Sequence, residues 1–441
     1  MKTKLFINLL FAVALLTGMA AIGLAQNDED PVITELFRSA DRSMDAGDYD
    51  AAIADYVKIL ARDPESKNAY NGRGNAYLEK GLYDKAMADF NKNIELDPED
   101  FYAYYGRGTL YYRLGDYQRS IDDHTKELEL QSDRSLGLIE RGNAYLKLKK
   151  PDEAMKDLNR AAALSTPAAY LARGLAFLEK GETADALADL RYYIREVPDD
   201  QDVRQKLIKL GVSESELPQA ILSAQKDIPA AAKTAFVGAI RDIGQLEYDR
   251  ALIKLTKAIN ISPKFAAAFY YRGYVNEMLG SLIYAHKIIP DYTNAISIDP
   301  KFAKAYERRA YIYFQNANRP KRAADINRAI VLDPRSAQAN FYRGYFTLEG
   351  ARAMLDISKA ITLDPNYVDA LIERADRYEE AKQYEKALAD YLAIIKINRN
   401  DSRAYKGRAS VYCKQKKRDL AAADEKRVVE LGGEIETVCT P

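Results

Sequence analysis

Small, aromatic and polar positions recur along this chain with a period of 34 residues. Gly74, Gly108 and Gly142 step at that interval, as do Tyr77, Tyr111 and Tyr145. Pro64 and Pro98 lie one period apart, and so do Pro300 and Pro334. A repeat of this length predicts stacked helical units, each covering the apolar face of its neighbour. With the proline in slot 32, eleven repeats begin at Ile33, Lys67, Phe101, Ser135, Pro167, Ala232, Ala266, Ala303, Ala337, Val368 and Ser402. Each reads as two helices.

The first helix of each repeat carries glycine or alanine in slot 8, as at Gly74, Gly108, Gly174, Gly273 and Ala375. Glycine inside a helix costs about 1 kcal/mol relative to alanine, so its recurrence predicts a neighbouring helix at close range. The second helix supplies a small residue in slot 20, as at Ala52, Ala86 and Ala154. Between them, Gly47-Asp48 and Gly115-Asp116 predict a glycine that ends one helix and an aspartate that caps the next. The slot 32 proline then stops the second helix. Repeat seven is three residues longer and carries Pro290 in its second helix, repeat nine is three shorter, and repeat ten has Arg399 in place of proline.

In these slots the chain resembles the tetratricopeptide repeat family, over about nine-tenths of its length beyond the first 25 residues. The resemblance implies an all-α fold, a right-handed solenoid of stacked helical hairpins. It also implies a concave groove lined by the first helices, with slots 2, 5, 9, 12 and 13 facing it. Repeats one to five form an N-terminal lobe, 33–199, and repeats six to eleven a C-terminal lobe, 232–433, followed by a tail, 434–441. Residues 200–231 are either a degenerate repeat or a hinge, with helices expected over Gln201–Leu210 and Glu216–Asp227.

Comparing the repeats with one another reveals a charge pairing. Nine of them carry arginine in slot 7 and aspartate in slot 23, from Arg73 with Asp89 to Arg408 with Asp424. An ion pair joining the two helices of each hairpin is the expectation. Repeat six lacks both residues, with Gly238 and Lys254 instead, and repeat one has Asp55 opposite Ser39.

Composition narrows the function. Basic and acidic residues number 65 each, so no excess of positive charge favours a phosphate backbone, and no nucleic-acid partner is expected. Lys2 and Lys4, an uncharged run from Leu5 to Ala25, and Gly23-Leu24-Ala25 predict a signal peptide over 1–25, cut before Gln26. The protein is then periplasmic or secreted. If the leader is kept, it anchors the chain in a membrane. Cys413 and Cys439 are either a disulfide or two unrelated thiols.

No motif carries chemistry: there are two histidines, His124 and His286, and no nucleophile elbow, phosphate loop or metal-ligand spacing. We expect no catalysis, no cofactor and no metal. His124 falls in an apolar slot and reads as a packed side chain.

The groove slots are the candidates for function. Asn68, Asn71 and Asn75, with Asn143 two repeats on, could pair with the backbone of an extended peptide, because an amide both donates and accepts. Tyr102, Tyr105 and Tyr112, then Tyr270, Tyr274, Tyr311, Phe314, Phe341 and Tyr345, supply aromatic contact area. Repeat ten is acidic in its groove slots, with Asp369, Asp376, Glu379 and Glu380. The expected function is an exported, non-catalytic scaffold or adaptor for a protein or peptide. The alternatives are a membrane-tethered assembly factor and a glycan-binding protein.

Overall fold

The computed structural model describes residues 30–433 and 435, apart from residues 133, 165, 219, 223, 224, 226, 246, 281–284, 348 and 349. The leader at 1–25, Cys439 and most of the tail at 434–441 lie outside the described residues. Among the described residues the chain is all-α, an α-solenoid of paired helices with no strand. It forms two compact units, residues 30–44 with 48–97, and residues 45–47 with 98 onward.

Each hairpin follows the periodic slots. Repeat three pairs Phe101–Arg113 with Tyr117–Leu130, repeat five Pro167–Lys180 with Thr183–Glu196, and repeat eleven Ser402–Lys414 with Arg418–Glu430. The slot 8 glycine exists because the slot 24 side chain of the same hairpin lies across it. A Cβ on Gly74 would stand 2.8 Å from the Phe90 ring, and one on Gly108 2.9 Å from the His124 ring. His124 is buried, as its slot predicts.

The turn between the helices requires one left-handed residue, in slot 15. Gly115 takes it with φ 80°, and the Asp116 carboxylate then accepts a hydrogen bond from the Arg119 amide at 3.2 Å. Four repeats put a side chain there instead: Lys149, Ala317, Lys382 and Lys416, with φ of 57°, 54°, 58° and 63°. The turn geometry is therefore kept where the glycine is lost, at a conformational cost.

All nine arginine–aspartate pairs form. In each, Nε and Nη2 donate to the two carboxylate oxygens at 2.6–2.9 Å. The aspartates are buried. The third arm of the guanidinium does further work: Nη1 of Arg141, Arg173 and Arg309 donates to Thr125, Asn159 and Thr293 at 2.9–3.1 Å. Those acceptors sit in slot 25 of the preceding hairpin, or its equivalent in the longer repeat seven. One side chain thus closes its own hairpin and ties it to the one before. Repeat six restores the link with reversed polarity, Lys254 Nζ donating to Asp242 at 2.8 Å.

Residues 200–231 differ from expectation in one respect. Gln201–Lys209 is helical, but among the described residues of the second expected helix, Glu216–Asp227, none is α-helical, and 3-10 conformation occurs at Glu214–Glu216 and Leu222. Pro218 removes a donor at its start, and the Asp199 carboxylate accepts from the Ile221 and Leu222 amides at 3.1 and 2.9 Å, which diverts them from a helix ladder. Arg204 Nη1 also donates to the Pro198 and Pro218 carbonyls. Val203, Leu207, Val212 and Leu217 join an apolar core that runs from Leu128 to Ile312.

Within the second compact unit the repeats curve until repeat five meets repeats nine, ten and eleven. Arg399 donates to Asp185 at 3.1 Å and to Glu182 at 3.2 Å, and Asn398 reaches Asp189 at 3.3 Å. Arg403 donates to the Tyr170 hydroxyl at 2.8 Å, and Arg195 to Asp364 at 2.5 Å. These partners stand 169 to 233 residues apart in the chain. The curvature closes on itself here.

Candidate functional site: a closed groove

That closure turns part of the groove into a cavity of about 420 Å³. One wall comes from the first helices of repeats seven to eleven: Glu277 and Met278, then Arg308, Tyr311 and Gln315, then Gln338, Phe341, Tyr342 and Tyr345, then Asp369, Ile372, Glu373 and Arg403. The opposite wall is Tyr192 and Glu196, on the second helix of repeat five. Slots 2, 5, 9, 12 and 13 do supply much of the first wall, joined by slot 6.

The charges lining the cavity are paired. Glu196 accepts from Gln338 at 2.7 Å and lies 3.4 Å from Arg308 and 3.7 Å from Lys304. Burial works to raise its carboxyl, but Lys304, Arg308 and Arg195 outweigh it and hold it below the usual range. Glu277 accepts from Arg308 at 2.8 Å and from the Tyr292 hydroxyl at 2.9 Å, yet burial prevails and keeps its carboxyl raised. Asp369 accepts from Arg403 at 2.9 Å and from the Tyr192 hydroxyl at 2.8 Å. Glu373 at the rim accepts from Arg377 at 2.7 Å.

The aromatic candidates divide. Tyr311 is half-buried and stacks on Tyr342 with centroids 5.4 Å apart; Phe341 stacks on Tyr345 at 5.6 Å, and Tyr345 keeps 39% of its surface exposed. These line the cavity. Phe314 is half-buried beside it, stacked on Phe346 at 4.7 Å. Tyr270 and Tyr274, by contrast, are 0% and 1% exposed. Tyr270 packs among Tyr271, Tyr292 and Phe302, and Tyr274 against Tyr271 and the Arg308 guanidinium. The expectation that these two touch a partner gives way: packing within repeat seven and against repeat eight takes up their surface.

In repeat three, Tyr102 and Tyr105 hold the Arg134 guanidinium over their rings at 5.1 and 5.3 Å, while Tyr112 meets Tyr117 edge-on. Arg134 in turn donates to the buried Glu127, which bonds the His124 ring at 2.9 Å. In the first compact unit, Asn68 is exposed, and Asn71 and Asn75 are half-buried on the same face of Lys67–Glu79. The Asn71 side-chain oxygen is buried with no donor. Asn143, in the second unit, is half-buried.

Of repeat ten's acids, Asp369 belongs to the cavity. Asp376 and Glu379 accept from the Tyr391 hydroxyl, and Glu379 also from Ser410 and Lys414. Cys413 lies on the first helix of repeat eleven, and the chain's other cysteine, Cys439, lies outside the described residues. Among the described residues no cluster of His, Cys, Asp and Glu could hold a metal ion, and no helix is long and apolar enough to cross a membrane.

Sequence reasoning missed Tyr192, Glu196, Arg308, Gln338 and Arg403. Arg399 was the available signal: it departs from the repeat pattern where the chain meets repeat five.

The class defined by these hairpins is the helical-repeat solenoid. Family models described as tetratricopeptide repeat match residues 43–92 and 139–201, and one described as TPR repeat matches residues 74–115. Over residues 43–115 and 139–201, then, the chain is similar to tetratricopeptide repeat proteins. No curated protein matches it. Among solved structures it is similar to the APC/C hetero-tetramer Cut9-Hcn1, with 14% identity over 97% of each chain and a TM-score of 0.44. It is also similar to yeast Tom70, with 17% identity over 83% of this chain and 92% of that one, TM-score 0.37. A third is MamA, with 23% identity over 41% of this chain and 97% of that one, TM-score 0.32.

Proposed function

We propose that the protein is a non-catalytic scaffold that holds a protein or extended peptide on the groove side of its first helices. The observation that carries this reading is the convergence of groove slots from five consecutive repeats on one cleft, with aromatic rings at its mouth. Aromatic side chains give large contact area at low entropy cost. The buried, unmatched Asn71 oxygen supports a second contact, since a peptide amide would supply its missing donor. Export follows from residues 1–25. The test is cross-linking of the tagged full chain in its native cells, compared with Asn71→Ala/Asn75→Ala and Tyr345→Ala. A protein captured by the parent chain and lost from the variants supports the reading. Capture unaffected by every variant refutes it.

A further inference from the structure

Resting on that scaffold reading, we propose that the 420 Å³ cavity receives an uncharged aromatic side chain, tyrosine or tryptophan, from the partner. Its size falls within the range of about 300–1,000 Å³ typical of ligand pockets. Three observations converge on this chemistry.

The first is charge. Glu196, Glu277, Asp369 and Glu373 each lie against an arginine of this chain. Glu196 and Glu277 share Arg308, with Lys304 also beside Glu196, so an anion would face these carboxylates and a cation would have to displace the standing pairs, each while losing its water. Only a neutral group enters without that penalty. The second is the wall. Phe341 stacks on Tyr345 and Tyr311 on Tyr342, Tyr367 packs on Phe341 with centroids 5.1 Å apart, and Tyr192 joins the lining from repeat five. Rings at such spacing accept a further ring by offset stacking or edge contact.

The third is unmet hydrogen bonding. Arg308 is 4% exposed and lines the cavity, and its Nε has no acceptor. The Gln315 side-chain oxygen, also in the lining, is buried with no donor. An indole N–H or a phenol O–H satisfies the glutamine, and the carbonyl of the same residue satisfies the arginine. An aliphatic anchor would leave the Gln315 acceptor unmet.

The chain contains no tryptophan, so indole emission reports an added probe alone. The experiment titrates N-acetyl-tryptophanamide with the full chain, alongside Tyr345→Ala, Gln315→Leu and the remote Tyr102→Ala, each checked for unchanged helicity. The expected result is saturable binding, weakened about tenfold by Tyr345→Ala and by Gln315→Leu and unaltered by Tyr102→Ala. N-acetyl-tyrosinamide should compete, and N-acetyl-lysinamide and cellobiose should not. Absence of binding, binding by both cavity variants as tight as by the parent chain, or competition by the lysine amide or the disaccharide would overturn the proposal. Failure here with variant-sensitive capture in the cross-linking experiment removes the aromatic anchor and leaves the scaffold reading standing.

Discussion

Replacing Arg107 or Asp123 tests the link that the periodic charges build into every hairpin. Arg107 donates from Nε and Nη2 at 2.8 Å each, with side chains 21% and 9% exposed. Hydrogen bonding to Asp123, ahead of the opposing effect of burial, holds the guanidinium above its ordinary range. Removing one partner of a fully buried pair costs about 3–5 kcal/mol, because the other charge is left uncompensated. The residual exposure of Arg107 lowers that to about 2–3 kcal/mol for Arg107→Met or Asp123→Ala alone. The double variant strands no charge, so it should cost less than either single, about 1.5 kcal/mol rather than the sum, a coupling of about 3 kcal/mol. At Arg173 and Asp189, 2% and 0% exposed, the single losses should reach the upper end. Urea unfolding followed by circular dichroism measures these differences. Hydrogen exchange over Phe101–Leu130 checks that the loss is local, since repeat arrays need not unfold in one step. A coupling below about 0.5 kcal/mol would refute the pairing as a source of stability.

The left-handed slot 15 predicts that Ala317→Gly and Lys382→Gly stabilise the chain by about 1 kcal/mol each, read as a shift in urea midpoint. Slot 8 predicts a contrast. Gly344→Ala places a Cβ 2.8 Å from the Ala353 carbonyl oxygen, a backbone atom, and should cost about 2 kcal/mol or more, whereas Gly142→Ala meets the Leu158 side chain at 3.1 Å and the Ala154 carbonyl oxygen only at 3.5 Å, an ordinary contact, and should be near neutral in the same assay. Burial, with Glu373, Glu379 and Glu380 adding to it, pushes Asp376 up to about 6 despite its bond from Tyr391. Its folded pKa lies above the ordinary value, so the protonated form favours folding and stability falls as pH rises from about 4 to 6; Asp376→Asn should flatten that fall in melting temperature. A melting curve in which the variant and parent lose the same stability across that window would contradict this.

Much of the hairpin was legible in the sequence because its contacts are short-range and repeated. Slot 7 meets slot 23 of the same hairpin, slot 8 meets slot 24, and slot 15 turns the chain, so each interaction leaves its mark once per period. The second helix expected in 200–231 was misread because Pro218 and the Asp199 carboxylate compete with it, and the latter acts from outside the segment. The fate of the groove was not legible. Curvature is the sum of small rotations at each repeat interface, and no slot records that sum. It brings Arg399 and Arg403 to repeat five across more than 200 residues and walls the groove with Tyr192 and Glu196. The sequence determined the unit and how one unit grips the next; tertiary structure alone decided where the accumulated turn would meet itself, and so which aromatic rings line a cavity.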